Sequence, residues 1–311
     1  MNISLSPLQH DTRWDASSQN DPKAGWLELP LPSNCTSSLI YANGERDNGI
    51  KFDSSHYAGM FHRSCRTLPH PLDVAHGCSS LADPAVTDLL KRFGAATSTL
   101  RSYIMFVATA NSGHSLIGSL LDAHPYMIVS NEADALGWWY QALISQKRPP
   151  PRSEMFHYLY ENSLKCALYS RWQHGHNYTV PHQANGLFPH GELLAIGDKK
   201  GGTTIGHLKS WEHAGILEKQ WRQWEAYVAL PITVIHVWWA SQSSTADMHR
   251  QLVKKIVGAG NRTTAFEWNN TAFIHDPMRM IPQICQVLRV PCDGRLQRSW
   301  AAMVDPNKGK R

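Results

Sequence analysis

Residues 102–132 read SYIMFVATANSGHSLIGSLLDAHPYMIVSNE, and the order of their side chains decides the fold. Tyr103 to Ala108 is a short, almost continuous apolar run, the composition of a strand buried on both faces of a parallel sheet. Thr109 to Gly113 is a loop of small and polar residues. His114 to Ala123 then sets Leu116, Ile117, Leu120 and Leu121 on one helical face, so a helix is predicted to begin where the loop ends. Strand, small-residue loop and helix N-terminus in that order present first-turn N–H groups and about half a positive charge to the space in front of the loop. Such a place suits a phosphate or a sulfate.

The loop Ala108-Thr-Ala-Asn-Ser-Gly113-His114-Ser115 approaches the nucleotide-triphosphate pattern G-x-x-x-x-G-K-[ST] without meeting it. Gly113 and the Ser115 hydroxyl stand where the pattern wants them. Ala108 replaces the first Gly, and His114 replaces the Lys that would reach the outer phosphates, which argues against a nucleotide hydrolase. Taken alone, the loop is equally an ordinary βα turn.

Further along, apolar strands are predicted at Leu193 to Ile196, Ile232 to Val237 and Thr264 to Glu267. Helices are predicted at 133–146, 153–173, 203–224, 241–257 and 277–290, and Gly197-Asp-Lys-Lys-Gly-Gly202 reads as a second, basic and glycine-rich loop. Strands alternating with helices imply an α/β fold, a central parallel sheet flanked by helices on both faces. Ligands of such sheets bind at the carboxyl ends of the strands, which gathers the loops 109–113 and 197–202 with Glu132. The aromatic cluster Trp138, Trp139 and Tyr140 is read as core packing.

Residues 1–95 are rich in Ser, Asn, Asp, His, Pro and Gly and are expected to be a loop-rich flank, with a short helix over Asp83 to Phe93. Residues 96–311 form the predicted α/β domain. Cys65, His70, His76 and Cys78 lie close together, but their spacing matches no closed zinc pattern; a loop disulfide or free thiols is preferred, and no metal site is assigned. A net charge of +5 without a Lys/Arg run gives no nucleic-acid face. No apolar run reaches the roughly 18 residues of a membrane span. Six cysteines permit disulfides, and Asn34, Asn177, Asn261 and Asn269 head glycosylation sequons that matter only on the secretory route. Without a signal-like N-terminus the expected compartment is the cytoplasm, or the Golgi lumen if the N-terminus is incomplete.

From residue 102 onward the chain resembles the sulfotransferase family, closest to its Golgi-type carbohydrate and tyrosylprotein branches. Those enzymes place R-S-G-T-T-L or R-S-G-H-S-L after a strand, then L-D-A-H-P, a short strand and a Glu. Here Asn111-Ser-Gly-His-Ser-Leu116, Leu121-Asp-Ala-His-Pro125 and Glu132 follow in that order. Ala195 to Gly202 is similar to the family's second strand-loop with its Lys. Val234-Ile-His-Val237 is similar to the strand before R-N-P, and Phe273-Ile-His-Asp-Pro277 with Ile284-Cys-Gln-Val-Leu288 to the late F-I-x-D-P and L-C-x-F-L stretch.

The resemblance implies a P-loop nucleotide-hydrolase-like (sulfotransferase) architecture. The implied function is transfer of a sulfonate group from 3'-phosphoadenosine 5'-phosphosulfate to a hydroxyl of a carbohydrate, protein or small molecule. It casts Asn111, Ser112, Gly113, His114 and Ser115 as the donor-binding loop, Glu132 as the catalytic base and Lys199 as the clamp on the transferring group, with Lys200 a solvated neighbour. Read from the residues alone, Glu132 is also a loop carboxylate able to cap the helix that follows. The chain departs from the family in three places. Asn111 stands where the family has a cation. Trp239 and Asp247 occupy the positions of the 3'-phosphate ligands Arg and Ser. The domain also reads as shortened after Val237 and at its C-terminus. These departures imply the alternative of a non-catalytic relative or a fragment lacking the 3'-phosphate site.

Overall fold

β1 (Ser102–Ala108) is buried along its whole length, which a strand needs when it has neighbours on both edges and helices on both faces. A computed structural model of the chain describes residues 91–304 apart from 170, 174–175, 179, 181–190, 240, 242 and 293. The chain continues through α1 (His114–Asp122), β2 (Met127–Asn131), α2 (Ala135–Ser145) and α3 (Arg152–Tyr169). A two-residue ribbon follows, β3 (Trp172–Gln173) antiparallel to β4 (His176–Asn177). Next come β5 (Ala195–Lys199), α4 (Gly201–His213), α5 (Leu217–Val228), β6 (Ile232–Trp238), α6 (Ser243–Ala259) and β7 (Thr263–Asn269). The helices α7 (Asn270–His275), α8 (Pro277–Leu288) and α9 (Gly294–Met303) close the described part.

Five strands form one sheet in the order β2-β5-β1-β6-β7, every neighbour pair parallel. The pleat of β1 divides the core in two. Tyr103, Met105 and Val107 pack with the apolar sides of α2 to α6, while Ile104, Phe106 and Ala108 pack with α1, α8 and α9. Each fully buried large apolar side chain stabilises the fold by roughly 1.5–3 kcal/mol. From β1 the chain crosses one face through α1 toward β2; from β6 it crosses the other face through α6 to β7. Departure in opposite directions makes the carboxyl ends beside β1 a topological switch point, the place where open α/β sheets form a ligand crevice.

The α/β expectation and the parallel sheet are therefore as read from the sequence. The second loop is not. β5 starts at Ala195 and runs through Lys199, so the expected loop 197–202 shrinks to the single junction Lys200, and Gly201 and Gly202 open α4. The glycines serve close approach. A Cβ at Gly197 would lie 2.2 Å from the Ile104 carbonyl oxygen, and one at Gly201 would lie 2.5 Å from the Ala108 Cβ. The single helix expected over 203–224 breaks around Gly215, which has φ +69° and separates α4 from α5. α7 and α9 had no periodic signal long enough to be predicted.

Residues 91–96 are helical or close to it; the rest of the expected Asp83–Phe93 helix, the flank before it and the Cys65–Cys78 cluster lie outside the described residues. No helix among the described residues is long and apolar enough to cross a membrane. A disulfide joins Cys285 in α8 to Cys292 ahead of α9, and Cys166 in α3 is also disulfide-bonded.

Candidate functional site

The loop after β1 is held from outside as much as by its own turn. Gly113 sits at the N-cap of α1 with φ +82°, a conformation that costs a side-chain-bearing residue about 1–2 kcal/mol. A Cβ there would also fall 1.8 Å from Asn270 Nδ2, because that amide donates to the Ser112 carbonyl at 2.9 Å. Ser112 is buried, its N–H donating to the Thr109 carbonyl at 3.3 Å and its hydroxyl lying 3.1 Å from His114 Nδ1. No side chain caps α1, so its N-terminal dipole faces the mouth of the crevice.

Glu132 and Lys199 meet at that mouth. They come from the ends of neighbouring strands, with Asn131 in register with Lys199 and the Glu132 N–H donating to the Lys199 carbonyl at 3.1 Å. The Lys199 ammonium bonds Glu132 Oε1 directly and donates to the Ser115 hydroxyl at 3.3 Å. Lys200 is not a solvated bystander: its ammonium lies 2.8 Å from Glu132 Oε2 and is only 22% exposed. His114 Nε2 lies 3.8 Å from the same carboxylate. The Lys199 stem reaches the mouth beneath α1, where Gly118 leaves it room; a Cβ at Gly118 would be 2.6 Å from Lys199 Cγ.

These contacts set the protonation states. Burial pushes the Glu132 carboxyl up, but Lys199, His114 and Lys200 together outweigh it and hold the group far below the usual carboxylate range. Burial pushes the Lys199 ammonium down to about 8 against the pull of Glu132. The same burial lowers His114, with Lys199 and Lys200 adding to it and Glu132 opposing, so at neutral pH the ring is an uncharged hydrogen-bonding group.

The backbone around Glu132 is forced. Glu132, Asp134 and Asn111 have φ of 63°, 56° and 60°, and all three sit at this end of the sheet. Asp198 fixes the turn from beneath: its carboxylate accepts from the N–H groups of Ala133 at 3.1 Å and Ala135 at 2.9 Å and from the Ser130 hydroxyl at 3.0 Å. Complete burial raises its pKa to about 6 despite these bonds. The helix-capping role open to Glu132 belongs instead to Asp134, which accepts from the Gly137 N–H at 3.3 Å and lies 3.2 Å from His207 Nε2.

Leu121-Asp-Ala-His-Pro125 does structural work behind the mouth. Asp122 accepts from the Val129 N–H at 2.7 Å and the Ser163 hydroxyl at 2.6 Å, and it pairs with the buried Arg171 at 3.0 Å. Arg171 in turn donates to the Val129 carbonyl at 2.7 Å. His124 accepts from the Tyr126 N–H at its Nδ1 and places Nε2 2.7 Å from the Pro291 carbonyl.

Across the loop, the Trp239 indole N–H donates to the Asn111 carbonyl at 2.9 Å, so both residues touch and neither carries charge. Asp247 is bonded to Arg250 on α6, and that guanidinium also reaches Glu267 at 3.4 Å and lies over the Trp238 ring. Arg250 had no motif to announce it, nor did Asn270 or Arg171. Among the described residues no group of three or more His, Cys, Asp or Glu could hold a metal ion. What the mouth offers is two ammonium groups, the Ser115 hydroxyl, an imidazole backed by the buried Ser112 hydroxyl, and a helix N-terminus around one carboxylate, a donor set that suits an anion of sulfate or phosphate type. Compared with known proteins, the chain matches no family model and no curated protein.

Proposed function

We propose that the chain is a sulfotransferase. It would hold the sulfonate end of 3'-phosphoadenosine 5'-phosphosulfate against Asn111, Ser112, Gly113, His114 and Ser115 and pass the group to an acceptor hydroxyl. The observation that carries this reading is the convergence of Glu132 and Lys199 on the loop mouth, with Ser115 bonded to the lysine. Sulfonate transfer needs a base on the acceptor oxygen and cations on the sulfonate and its leaving phosphate, both within bonding reach of one sulfur atom. The acceptor oxygen attacks sulfur, Glu132 takes its proton, and the bond from sulfur to the phosphate oxygen breaks with the charge left facing Lys199 and the α1 N-terminus. In the free protein Glu132 is a weak base, because its cations stabilise the carboxylate. An incoming donor draws those cations to itself, which raises the Glu132 pKa as the acceptor arrives.

Calorimetry with 3',5'-adenosine bisphosphate tests the donor site; saturable binding is expected, and no heat up to about 1 mM ligand would remove the reading. Transfer of labelled sulfate to a panel of hydroxyl acceptors, abolished by Glu132→Gln, tests the chemistry.

A second reading, a non-catalytic relative, is favoured by two contacts. Trp239 is committed to Asn111, and Asp247 to Arg250, so these positions offer no cation to a second phosphate. A charged hydrogen bond contributes roughly 1.5–3 kcal/mol, so Trp239→Arg should strengthen bisphosphate binding by about tenfold or more. An unchanged affinity would mean the strand end is remodelled beyond rescue by one residue.

A further inference from the structure

The turn joining α6 to β7 carries Asn261-Arg262-Thr263, and its construction leaves one group outward. Glu225 of α5 accepts from the Asn261 N–H at 2.9 Å, the Arg262 N–H at 2.7 Å and the Thr263 hydroxyl at 2.8 Å. Arg262 returns a bond to the Glu225 carbonyl at 2.9 Å, and the Trp221 indole donates to the Thr263 hydroxyl at 3.0 Å. Gly260 is needed because a Cβ there would lie 2.6 Å from Thr263 Oγ1 and 2.8 Å from Glu225 Oε1. The turn is thus fixed from the protein side, while Asn261 is exposed and its side-chain amide makes no hydrogen bond with any described residue.

Two further observations bear on that amide. The described cysteines are oxidised: Cys285 pairs with Cys292, and Cys166 is disulfide-bonded, the state of chains that mature in an oxidising compartment. In a parallel sheet the α6–β7 turn also lies at the amino ends of the strands, opposite the loop 109–113, so a large substituent there leaves the crevice open. Asn269 differs on both counts. It ends β7 on the crevice side, it is half-buried, and its side-chain oxygen accepts from the Ala272 N–H at 3.2 Å to cap α7. The Asn177 side chain and Asn34 lie outside the described residues.

We propose that Asn261 is an N-glycosylation site, occupied as the chain passes through a lumenal compartment. The proposal does not depend on sulfonate transfer. The co-substrate is a polyprenyl-diphosphate-linked oligosaccharide delivered by the host's transferase. The Asn261 amide nitrogen forms a bond to the sugar's anomeric carbon as the bond from that carbon to the diphosphate oxygen breaks; the amide gives up one proton, and the lipid diphosphate leaves.

The test is mass spectrometry of the full chain recovered from cultured eukaryotic cells, with and without peptide N-glycosidase and without reductant. Asn261 is expected as a glycopeptide that the glycosidase converts to Asp, in molecules whose Cys285–Cys292 bond is closed. Asn261→Gln should lose one glycan step on a gel, while Asn269→Gln should keep it. An unmodified Asn261 peptide overturns the proposal, whether the two cysteines are recovered bridged, which removes the site, or as free thiols, which removes the compartment. Glycan on another sequon with Asn261 bare overturns it as well.

Discussion

Replacing Glu132 by Gln should tighten the binding of a simple anion. The carboxylate is bonded to Lys199 and Lys200 with His114 beside it, so on the proposed reading it competes with an incoming sulfate or phosphate for the same cations. Glutamine keeps the shape and removes the charge, so the net charge of the Lys199–Lys200–Glu132 group rises from one positive to two. A unit charge about 5 Å from the bound anion is worth about 3 kcal/mol per unit of the anion's charge at the effective dielectric constant of 20 that suits such sites, a lower bound for a dianion such as sulfate. The Glu132 side chain is 18% exposed, and the freed lysines lose some orientation, so about half of that should survive, a gain of roughly tenfold in affinity. Calorimetry with inorganic sulfate and with 3',5'-adenosine bisphosphate, at two ionic strengths, measures it, with circular dichroism confirming the fold. The gain should shrink as salt screens the lysines. Weaker or unchanged binding of both anions in a folded variant would refute the idea that Glu132 competes for the anion's ligands.

Gly113→Ala combines a left-handed backbone with the clash against Asn270 and should cost about 2–4 kcal/mol in urea unfolding; Asn270→Ala should recover part of that loss, which a cycle of the two variants reads as coupling. Arg171→Met leaves Asp122 buried without its ion pair and should cost about 3–5 kcal/mol by the same assay, while Asp122→Ala on top of it should cost less than Asp122→Ala alone. The Lys199 pKa in the folded protein, about 8, is below its unfolded value of 10.5, so the cost of burying the ammonium is full below pH 8 and is relieved as pH rises toward 10.5. Wild-type stability should therefore rise relative to Lys199→Met across that window, by up to about 3 kcal/mol; parallel pH curves for the two proteins would contradict the assignment.

The central strand, loop and first helix were legible because their signals are local: an unbroken apolar run, small residues, then a 3.6-residue period. The meeting of Glu132 with Lys199 was legible one step removed, since a parallel sheet carries the ends of neighbouring strands to one side. Lys200 was misjudged because sequence gives its charge and not its direction; once β5 runs to Lys199, the next residue is carried over the same carboxylate. Gly197 and Gly201 read as loop residues because glycine marks both turns and close packing, and only the register against β1 tells them apart. Asn270 supports a carbonyl 158 residues before it, and such a contact has no period to betray it. Arg171 was lost in the same way at the end of a helix whose partner is β2.

Several features of the mouth each cost stability, and they coincide. A lysine with no exposed side-chain surface, two acidic residues and an asparagine at positive φ, and a glycine in the middle of α1 would each be exchanged in a chain selected for packing alone. Gly118 makes the point most directly: it costs roughly 0.5–1 kcal/mol against alanine in a helix interior, and its visible return is the passage of the Lys199 stem. Asp198 is buried with its pKa raised, and its bonds go to the two amides that flank the strained turn. The terms support one another, because Asp198 fixes the turn, the turn aims Glu132, and Glu132 holds the two lysines that face the α1 N-terminus. Cost gathered at this end of the sheet is what the proposed site would require, since a bound anion would have to be met by groups already held in place.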